Sequence, residues 1–260
     1  TADEVRQIHV TALRVLEEVG LWLPHAEILG RLADAGAAVD FAAQRVRLPA
    51  GLVERCLRLL PPRFTWHARR ADLSLDMNGR DTYFSAPGSA VNIIDLQGQR
   101  RPGTAQDGAD ICRLCDALPN LHGASTGVHP PALTGPALDA WITLTMYTQS
   151  RKAAFGASRG KVNSQVTLRM AEVVGASCGL PADQLPLMAV TNTVSPLYNT
   201  PDELDGMLEY VKRGIPLLIS PEVQAGATGP ATLAGLLTQA TAEFLCHAVI
   251  AQLFYPGLPL

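Results

Sequence analysis

Polar clusters that directly follow short apolar runs contain the residues best suited to chemistry. Two apolar runs, residues 187–190 and 215–219, each lead into a stretch of hydroxyl, amide and carboxyl side chains. Groups of this kind orient small polar or charged ligands in protein pockets. The candidate ligand-binding residues are His129, Asn192, Ser195, Tyr198, Glu222, Gln224 and Thr228.

The elements that must position these residues follow an alternating pattern from Thr104 onward. Strands are predicted at 122–128, 153–157, 187–190 and 215–219, and helices at 104–118, 138–148, 162–176, 201–212 and 231–253. Strands that are apolar throughout and polar at their carboxyl ends favour a parallel sheet covered by helices. Ligands bind at those carboxyl ends.

We therefore expect an α/β fold in which residues 104–260 form the first βα units of a partial TIM (β/α)8 barrel. Residues 258–260 are predicted to begin a further strand, and the remaining C-terminal part of the barrel is expected outside this chain. An open half barrel leaves unpaired sheet edges, so we also expect a homo-oligomer.

Residues 1–103 have a different pattern, and we expect them to form an N-terminal α+β cap. Amphipathic helices are predicted at 3–19, 25–35 and 52–60, with short strands around Val46 and at 64–68 and 91–96. Asn78-Gly79, lying between residues 73–77 and 82–84, predicts a β-hairpin.

Composition excludes several classes of function. The net charge is −3 and the 21 Lys and Arg residues are spread along the chain, which predicts no nucleic-acid partner. No apolar run approaches the roughly 18 residues of a membrane span, and we expect a cytoplasmic location. Five cysteines, an odd number, indicate reduced thiols, with Cys112 and Cys115 on one predicted helix and no metal site.

Motifs for common cofactors are also missing from the sequence. No Walker loop, dinucleotide fingerprint or nucleophile elbow occurs, and none of the three lysines follows a predicted strand. A Schiff-base mechanism is therefore disfavoured within this chain. Single serines and threonines at strand ends often cap helices, whereas Asn, Glu and Gln recurring at the same level of successive units favour ligand contact.

The order of several segments resembles the trimethylamine methyltransferase family, which includes glycine betaine methyltransferases. The matching segments are 8–20, 45–49, 92–96 with 100–102, 117–120, 194–197 and 220–235. The resemblance implies a TIM barrel with an N-terminal extension. It also implies methyl transfer from a methylated or quaternary amine to the Co(I) centre of corrinoid (cobalamin) carried by a separate protein, with no cofactor bound tightly by this chain.

The same resemblance places the unidentified catalytic residues, including the pyrrolysine of the trimethylamine enzymes, in the C-terminal part. Residues 159–163 depart from the acidic pattern expected there, and we interpret the chain as a member of the non-pyrrolysine, glycine betaine-like branch. Aromatic faces such as Tyr198 would hold a quaternary ammonium, with Glu222 supplying charge. Asn192 and Gln224 would hold a substrate carboxylate.

Two alternatives remain open at this point. A barrel lyase or isomerase acting on a small carboxylate would need an acid–base pair, for which Glu222 and His129 are the candidates. A non-catalytic protein that binds a small quaternary amine would need the same pocket without turnover.

Overall fold

The computed structural model describes residues 1–86 and 88–260. Its helices are α1 (Ala2–Arg14), α2 (Ala26–Asp34), α3 (Ala50–Leu57), α4 (Ala105–Ala117), α5 (Gly135–Gln149), α6 (Lys161–Ser177), α7 (Pro201–Lys212) and α8 (Leu233–Phe254). Its strands are β1 (Leu21–Trp22), β2 (Ala38–Asp40), β3 (Arg45–Arg47), β4 (Phe64–Trp66), β5 (Leu75–Met77), β6 (Asn92–Ile94), β7 (Arg100–Pro102), β8 (Ala154–Ala157), β9 (Leu187–Asn192) and β10 (Leu217–Ser220).

The chain divides into two compact units. The first unit comprises Thr1–Pro61, Ser158–Lys161 and Val190–Leu260, and the second comprises Pro62–Ala157 and Val162–Ala189. The division at residue 103 that the sequence pattern suggests stays a prediction.

Helix α8 is the central element of the first unit. It packs against α1, α2, α3, α7 and strand β10. Most of its C-terminal half is buried, including Ala248, Val249 and Ile250 with no exposed surface. This burial on several sides explains why the helix is apolar around its circumference rather than along one stripe.

By length and composition alone, α8 would also pass as a membrane span. The expectation that no apolar run is long enough to span a membrane is wrong by this criterion, because the single charged residue Glu243 lowers the mean hydropathy of the helix too little. A buried core helix of a globular protein meets the same criteria. In α8, 44% of the apolar 18-residue stretch is buried, and the buried residues lie between Ala242 and Gln252.

The N-terminal part of the first unit begins with a capped helix. Thr1 and Glu4 form a reciprocal capping box at the start of α1, and a π-helical turn at Val15–Val19 extends that helix. Gly20 ends the turn at φ 72°, where a side chain would collide with the carbonyl oxygen of Val46. A small antiparallel sheet in the order β1-β3-β2 follows.

The second unit contains two antiparallel strand pairs, and one of them differs from the prediction. Strand β5 pairs with β4, whereas residues 82–84 form no strand. Asn78 still makes a tight turn, since its Oδ1 accepts hydrogen bonds from the amides of Arg80 and Asp81. The turn signal was therefore right and the predicted hairpin partner was wrong.

The alternating part of the chain contains a three-stranded sheet in the order β10-β9-β8. Helix α6 lies between β8 and β9 in the chain, and α7 lies between β9 and β10. Neighbouring strands joined through a helix are typical of βαβ units. No closed barrel is present in the described part of the chain, and the TIM barrel stays a prediction.

Two predicted strands are not formed as such. Residues 122–128 contain only isolated bridges, from Gly123 to Ser85 and Ala153 and from Val128 to Ala90. Residues 258–260 form no strand either, although the carbonyl oxygen of Pro259 accepts a hydrogen bond from the amide of Leu217.

Candidate functional site

The candidate site consists of two loops of the first unit, each following a strand. We call residues 193–198 the β9 loop and residues 221–230 the β10 loop. Both loops are anchored to α8 by a buried carboxylate and a neighbouring amide.

Glu243 is that carboxylate, and it has no exposed surface. Its Oε2 accepts hydrogen bonds from the hydroxyls of Thr193 and Ser195, at 2.6 and 2.8 Å. Its Oε1 accepts from the amide of Leu197 at 3.0 Å. Every one of these contacts comes from a donor, as a carboxylate requires, and together they offset the cost of burying it.

Gln239 lies one helical turn before Glu243 and joins the two loops. Its Nε2 donates to Oε1 of Glu243 at 3.0 Å and to the carbonyl oxygen of Thr228 at 2.9 Å. Residues four apart on a helix share a face, so one face of α8 holds both loops.

The β9 loop has an unusual backbone. The Ser195–Pro196 peptide bond is cis, and Leu197 has a φ of 55°, a region that residues other than glycine rarely occupy. Val194 and Tyr198 exchange two backbone hydrogen bonds, at 3.1 and 2.9 Å, which close the loop. The three hydrogen bonds to Glu243 on α8 keep this conformation in place.

Tyr198, the last residue of the β9 loop, stacks on Trp22. The ring centroids are 4.6 Å apart and the ring planes differ by 9°. The Trp22 amide also donates to the carbonyl oxygen of Leu197 at 3.1 Å. Tyr198 as a whole residue is 37 % exposed.

The β10 loop is folded around Gln224. Its carbonyl oxygen accepts from the amides of Ala227, Thr228 and Gly229, while the Thr228 hydroxyl accepts from the Gln224 amide at 2.9 Å. The Gln224 side chain is exposed, as is that of Glu222. This loop thus presents a carboxyl and an amide group to solvent on a turn with internal hydrogen bonds.

The structure gathers most of the candidate residues in one unit and separates one of them. Ser195 and Thr228 are linked through α8, and Tyr198 lies in the same β9 loop as Ser195. Asn192 is the exposed last residue of β9, and Glu222 and Gln224 share the β10 loop. His129 belongs to the second unit, where its amide donates to Ala90.

Burial and charge shift the ionisation of groups near the site. Burial raises the pKa of Glu203 at the start of α7, and the nearby Glu222 carboxylate raises it further. Burial lowers the pKa of His247, whose Nδ1 donates to the carbonyl oxygen of Glu243. Burial also raises the pKa of Cys246 to about 12.

Three buried polar side chains of this unit have no hydrogen-bond partner in the structure. They are Ser158, Thr191 and Asn199, the last with neither its oxygen nor its nitrogen paired and with no exposed surface. An unpaired buried amide costs free energy. Asn199 directly follows the β9 loop, so this unpaired amide lies next to the candidate site in the chain.

Sequence reasoning missed Trp22, Gln239 and Glu243. A usable signal existed for Glu243, since it is the single charged residue within the apolar stretch 233–254. A lone carboxyl in such a helix predicts a polar partner elsewhere in the fold. Nothing in the local sequence around Trp22 predicts its contact with Tyr198.

The cysteine pair has the structural role that its spacing suggested. Cys112 and Cys115 both lie on α4, and both are buried and free. Burial raises the pKa of Cys112 to about 12. Among residues 1–86 and 88–260, no group of three or more His, Cys, Asp or Glu side chains is arranged to hold a metal ion.

Lys152 is buried at the carboxyl end of α4. Its ammonium group donates to the carbonyl oxygens of Cys115, Leu118 and Leu121, so all three of its protons are used. Burial lowers the pKa of this lysine. Its contacts are those of a helix-capping residue rather than of a nucleophile.

Comparison with known proteins identifies the family. The family model for trimethylamine methyltransferase (MTTB) matches residues 1–260, and the chain therefore belongs to that family.

Among curated relatives, the glycine betaine methyltransferase of Desulfitobacterium hafniense strain Y51 is 28% identical over 261 residues, covering 100% of this chain and 54% of the relative. A trimethylamine methyltransferase MttB from strain DSM 10664 / DCB-2 of that species is 28% identical, covering 99% of this chain and 52% of the relative. The Methanosarcina barkeri strain Fusaro MttB is 26% identical, covering 99% and 53%. The chain thus spans about half the length of the relatives it matches.

Proposed function

We propose that the protein transfers a methyl group from a methylated or quaternary amine, of the glycine betaine type, to the Co(I) centre of a corrinoid carried by a separate protein. The observation that carries the proposal is the match of the trimethylamine methyltransferase family model to residues 1–260. The similarity to a glycine betaine methyltransferase favours a quaternary amine as the substrate class.

A reduced corrinoid supplies a strongly nucleophilic metal that accepts the methyl group. In this proposal a separate partner protein carries the corrinoid, as the resemblance to the family implies. When the methyl group leaves, the electron pair of the C–N bond stays on nitrogen and the amine departs neutral. The task left to this chain is to orient the substrate and exclude water.

The residues of the candidate site fit that task. The ring of Tyr198, in the β9 loop, offers an aromatic face to the cationic head of the substrate. Glu222, in the β10 loop, offers a carboxylate for the same positive charge. The exposed amides of Asn192 and Gln224 are suited to a substrate carboxylate.

Two further candidates, Ser195 and Thr228, act mainly on the loops in this proposal. The Ser195 hydroxyl already donates to Glu243, and the Thr228 hydroxyl accepts from the Gln224 amide. Their side chains thus fix the loops that carry the substrate-facing groups. His129 stays a candidate from the second unit.

The fold in this proposal is a TIM barrel to which β8, β9 and β10 contribute successive strands. Their order in the sheet and the helices between them support it. In such a barrel the β9 and β10 loops would lie at the face where substrates bind.

A demethylation assay tests the proposal. The protein at its natural length is incubated with a corrinoid protein reduced to Co(I) and with glycine betaine, carnitine or trimethylamine, and the demethylated amine is quantified by NMR. Formation of dimethylglycine from glycine betaine, dependent on the reduced corrinoid, is the expected result. Binding of an amine without any product would favour the non-catalytic binding protein instead.

A variant pair relates the activity to the site. Tyr198→Leu should raise KM for the amine, whereas Tyr255→Phe, at the end of α8, should leave the kinetics unchanged. Equal behaviour of the two variants would remove Tyr198 from the proposed substrate contacts.

A further inference from the structure

Trp22 is bound to the β9 loop through both its ring and its backbone. Its ring stacks on Tyr198 with centroids 4.6 Å apart, and its amide donates to Leu197. Trp22 also pairs with Arg45 in the small N-terminal sheet, which fixes its backbone from the other side. The sheet thus holds one aromatic ring against another from a distant part of the chain.

Tyr198 is restrained from two further directions. Its amide and carbonyl oxygen are both bonded to Val194, and Glu243 holds Ser195 and Leu197 within the same loop. One face of the Tyr198 ring lies against Trp22, which restricts the orientation of the ring. More than a third of the residue is nevertheless exposed to solvent. Such pre-organisation lowers the entropy lost when a ligand binds.

A fixed aromatic face suits a cation that has no N–H groups. A quaternary ammonium donates no conventional hydrogen bond, and the negative face of an aromatic ring attracts it electrostatically. Cations of the protein itself, Arg31 and Lys212, lie over Phe254 rather than over this pair.

We propose that Trp22 is a positioning residue that holds the ring of Tyr198 as the docking face for a trimethylammonium group. The inference rests on the proposed function, since it specifies how that site selects a quaternary ammonium head. Trp22 acts through Tyr198 and needs no contact with the ligand of its own.

The test compares glycine betaine with a carboxylate of the same shape that lacks the cationic nitrogen. Calorimetric titration of the protein at its natural length uses glycine betaine, tetramethylammonium, and 3,3-dimethylbutanoate, in which carbon replaces the nitrogen of glycine betaine. The ratio of the affinities for glycine betaine and 3,3-dimethylbutanoate reports the recognition of charge. A general loss of structure would lower both affinities and leave the ratio unchanged.

The informative variants are Trp22→Leu and Trp22→Phe, with Trp141→Phe of the second unit as the control. Trp22→Leu should weaken binding of both cations by about 3- to 30-fold, the usual range of a cation–π contact, and lower the affinity ratio accordingly. Trp22→Phe keeps a ring to stack and should have a smaller effect. Trp141→Phe should match the unaltered protein.

Fluorescence provides a second measurement that does not depend on the leucine variant folding. Tetramethylammonium should change the tryptophan emission of the unaltered protein and of Trp141→Phe, and this change should disappear in Trp22→Phe. Persistence of the change in Trp22→Phe would overturn the proposal.

The outcomes separate this inference from the proposed function. Binding of cations that depends on Trp22, without demethylation, would sustain the inference and remove the methyltransferase activity. Demethylation together with an affinity ratio that Trp22→Leu leaves unchanged would support the proposed function and overturn the inference. No binding of either cation by the unaltered protein would overturn the inference.

Discussion

The hydroxyl of Thr193 donates a 2.6 Å hydrogen bond to Oε2 of Glu243, across 50 residues of chain. This bond connects the carboxyl end of β9 to the middle of α8. Hydrogen bonds to an ionised acceptor are shorter and stronger than neutral ones. The conformation of the candidate site thus depends on a helix residue that faces no solvent.

Glu243→Gln should loosen the β9 loop. Glutamine retains one acceptor oxygen and replaces the other with an NH2 group, so the hydroxyls of Thr193 and Ser195 lose the buried acceptor to which both donate. We expect a loss of about 1–3 kcal/mol in the free energy of unfolding. The Leu197 amide should also exchange its hydrogen faster, because in the native protein this amide donates a hydrogen bond to Glu243.

Glu17→Gln, an exposed change near the end of the first helical segment, serves as the control. It should leave both the stability and the exchange of Leu197 unchanged. Unaltered protection of Leu197 in Glu243→Gln would show that Glu243 does not hold the loop.

His247 should make the protein less stable as the pH falls. Burial lowers the pKa of His247 in the folded protein, so the unfolded chain takes up a proton more readily below about pH 6.5, the ordinary value for histidine. Stability is therefore lost from that pH downward, toward the lower pKa of the folded state. His247→Gln should flatten this part of the profile, measured by urea unfolding between pH 8 and pH 5. Parallel profiles for both proteins would contradict the prediction.

Asn199→Leu should leave the stability unchanged or increase it. The Asn199 amide is fully buried and has no hydrogen-bond partner, so an apolar side chain of similar size removes a desolvation cost of about 1–3 kcal/mol. Asn163→Leu provides the contrast, because Asn163 donates a 2.9 Å bond to the buried Asp139 and should lose stability. Both values come from denaturant unfolding. Marked destabilisation by Asn199→Leu would mean that its amide is paired in solution.

Cys178 should be the fastest of the five thiols to react with a disulfide reagent under native conditions. It is partly exposed just beyond α6, whereas Cys56, Cys112, Cys115 and Cys246 are at most 3% exposed. Burial also raises the pKa of Cys112 and Cys246 to about 12, which leaves little reactive thiolate. We expect the titration to show one rapidly reacting thiol per chain, and Cys178→Ser should abolish that rapid reaction. Rapid reaction of two or more thiols would indicate that the cores open readily.

Features with a local cause were predictable from the sequence. Helices α4 and α7 begin where the sequence pattern predicts them, each with a local cap: Thr104 and Asp107 form a capping box, and Thr200 accepts from the amide of Glu203. Strands β9 and β10 also occur close to the predicted apolar runs. Caps and short runs depend on residues a few positions apart, which the sequence displays directly.

Features with a distant cause were not predictable. Strand β5 pairs with β4 rather than across Asn78-Gly79, and the ion pair of Arg63 and Asp76 accompanies that pairing. A turn signal fixes the turn but leaves the choice of strand partner to the rest of the fold. The anchoring of Ser195 by Glu243 is of the same kind, since 48 positions separate the two residues.

The packing of α8 against α1 and α3 has a consequence for the order in which the protein acquires its structure. Translation delivers α1 and α3 first, while their shared partner is completed only at Phe254. During that interval the apolar side chains of the early helices lack their cover, and a nascent chain in this condition is prone to aggregate. The first unit therefore closes only after α8 has been synthesised, and a ribosome-associated chaperone has that interval in which to bind the early helices.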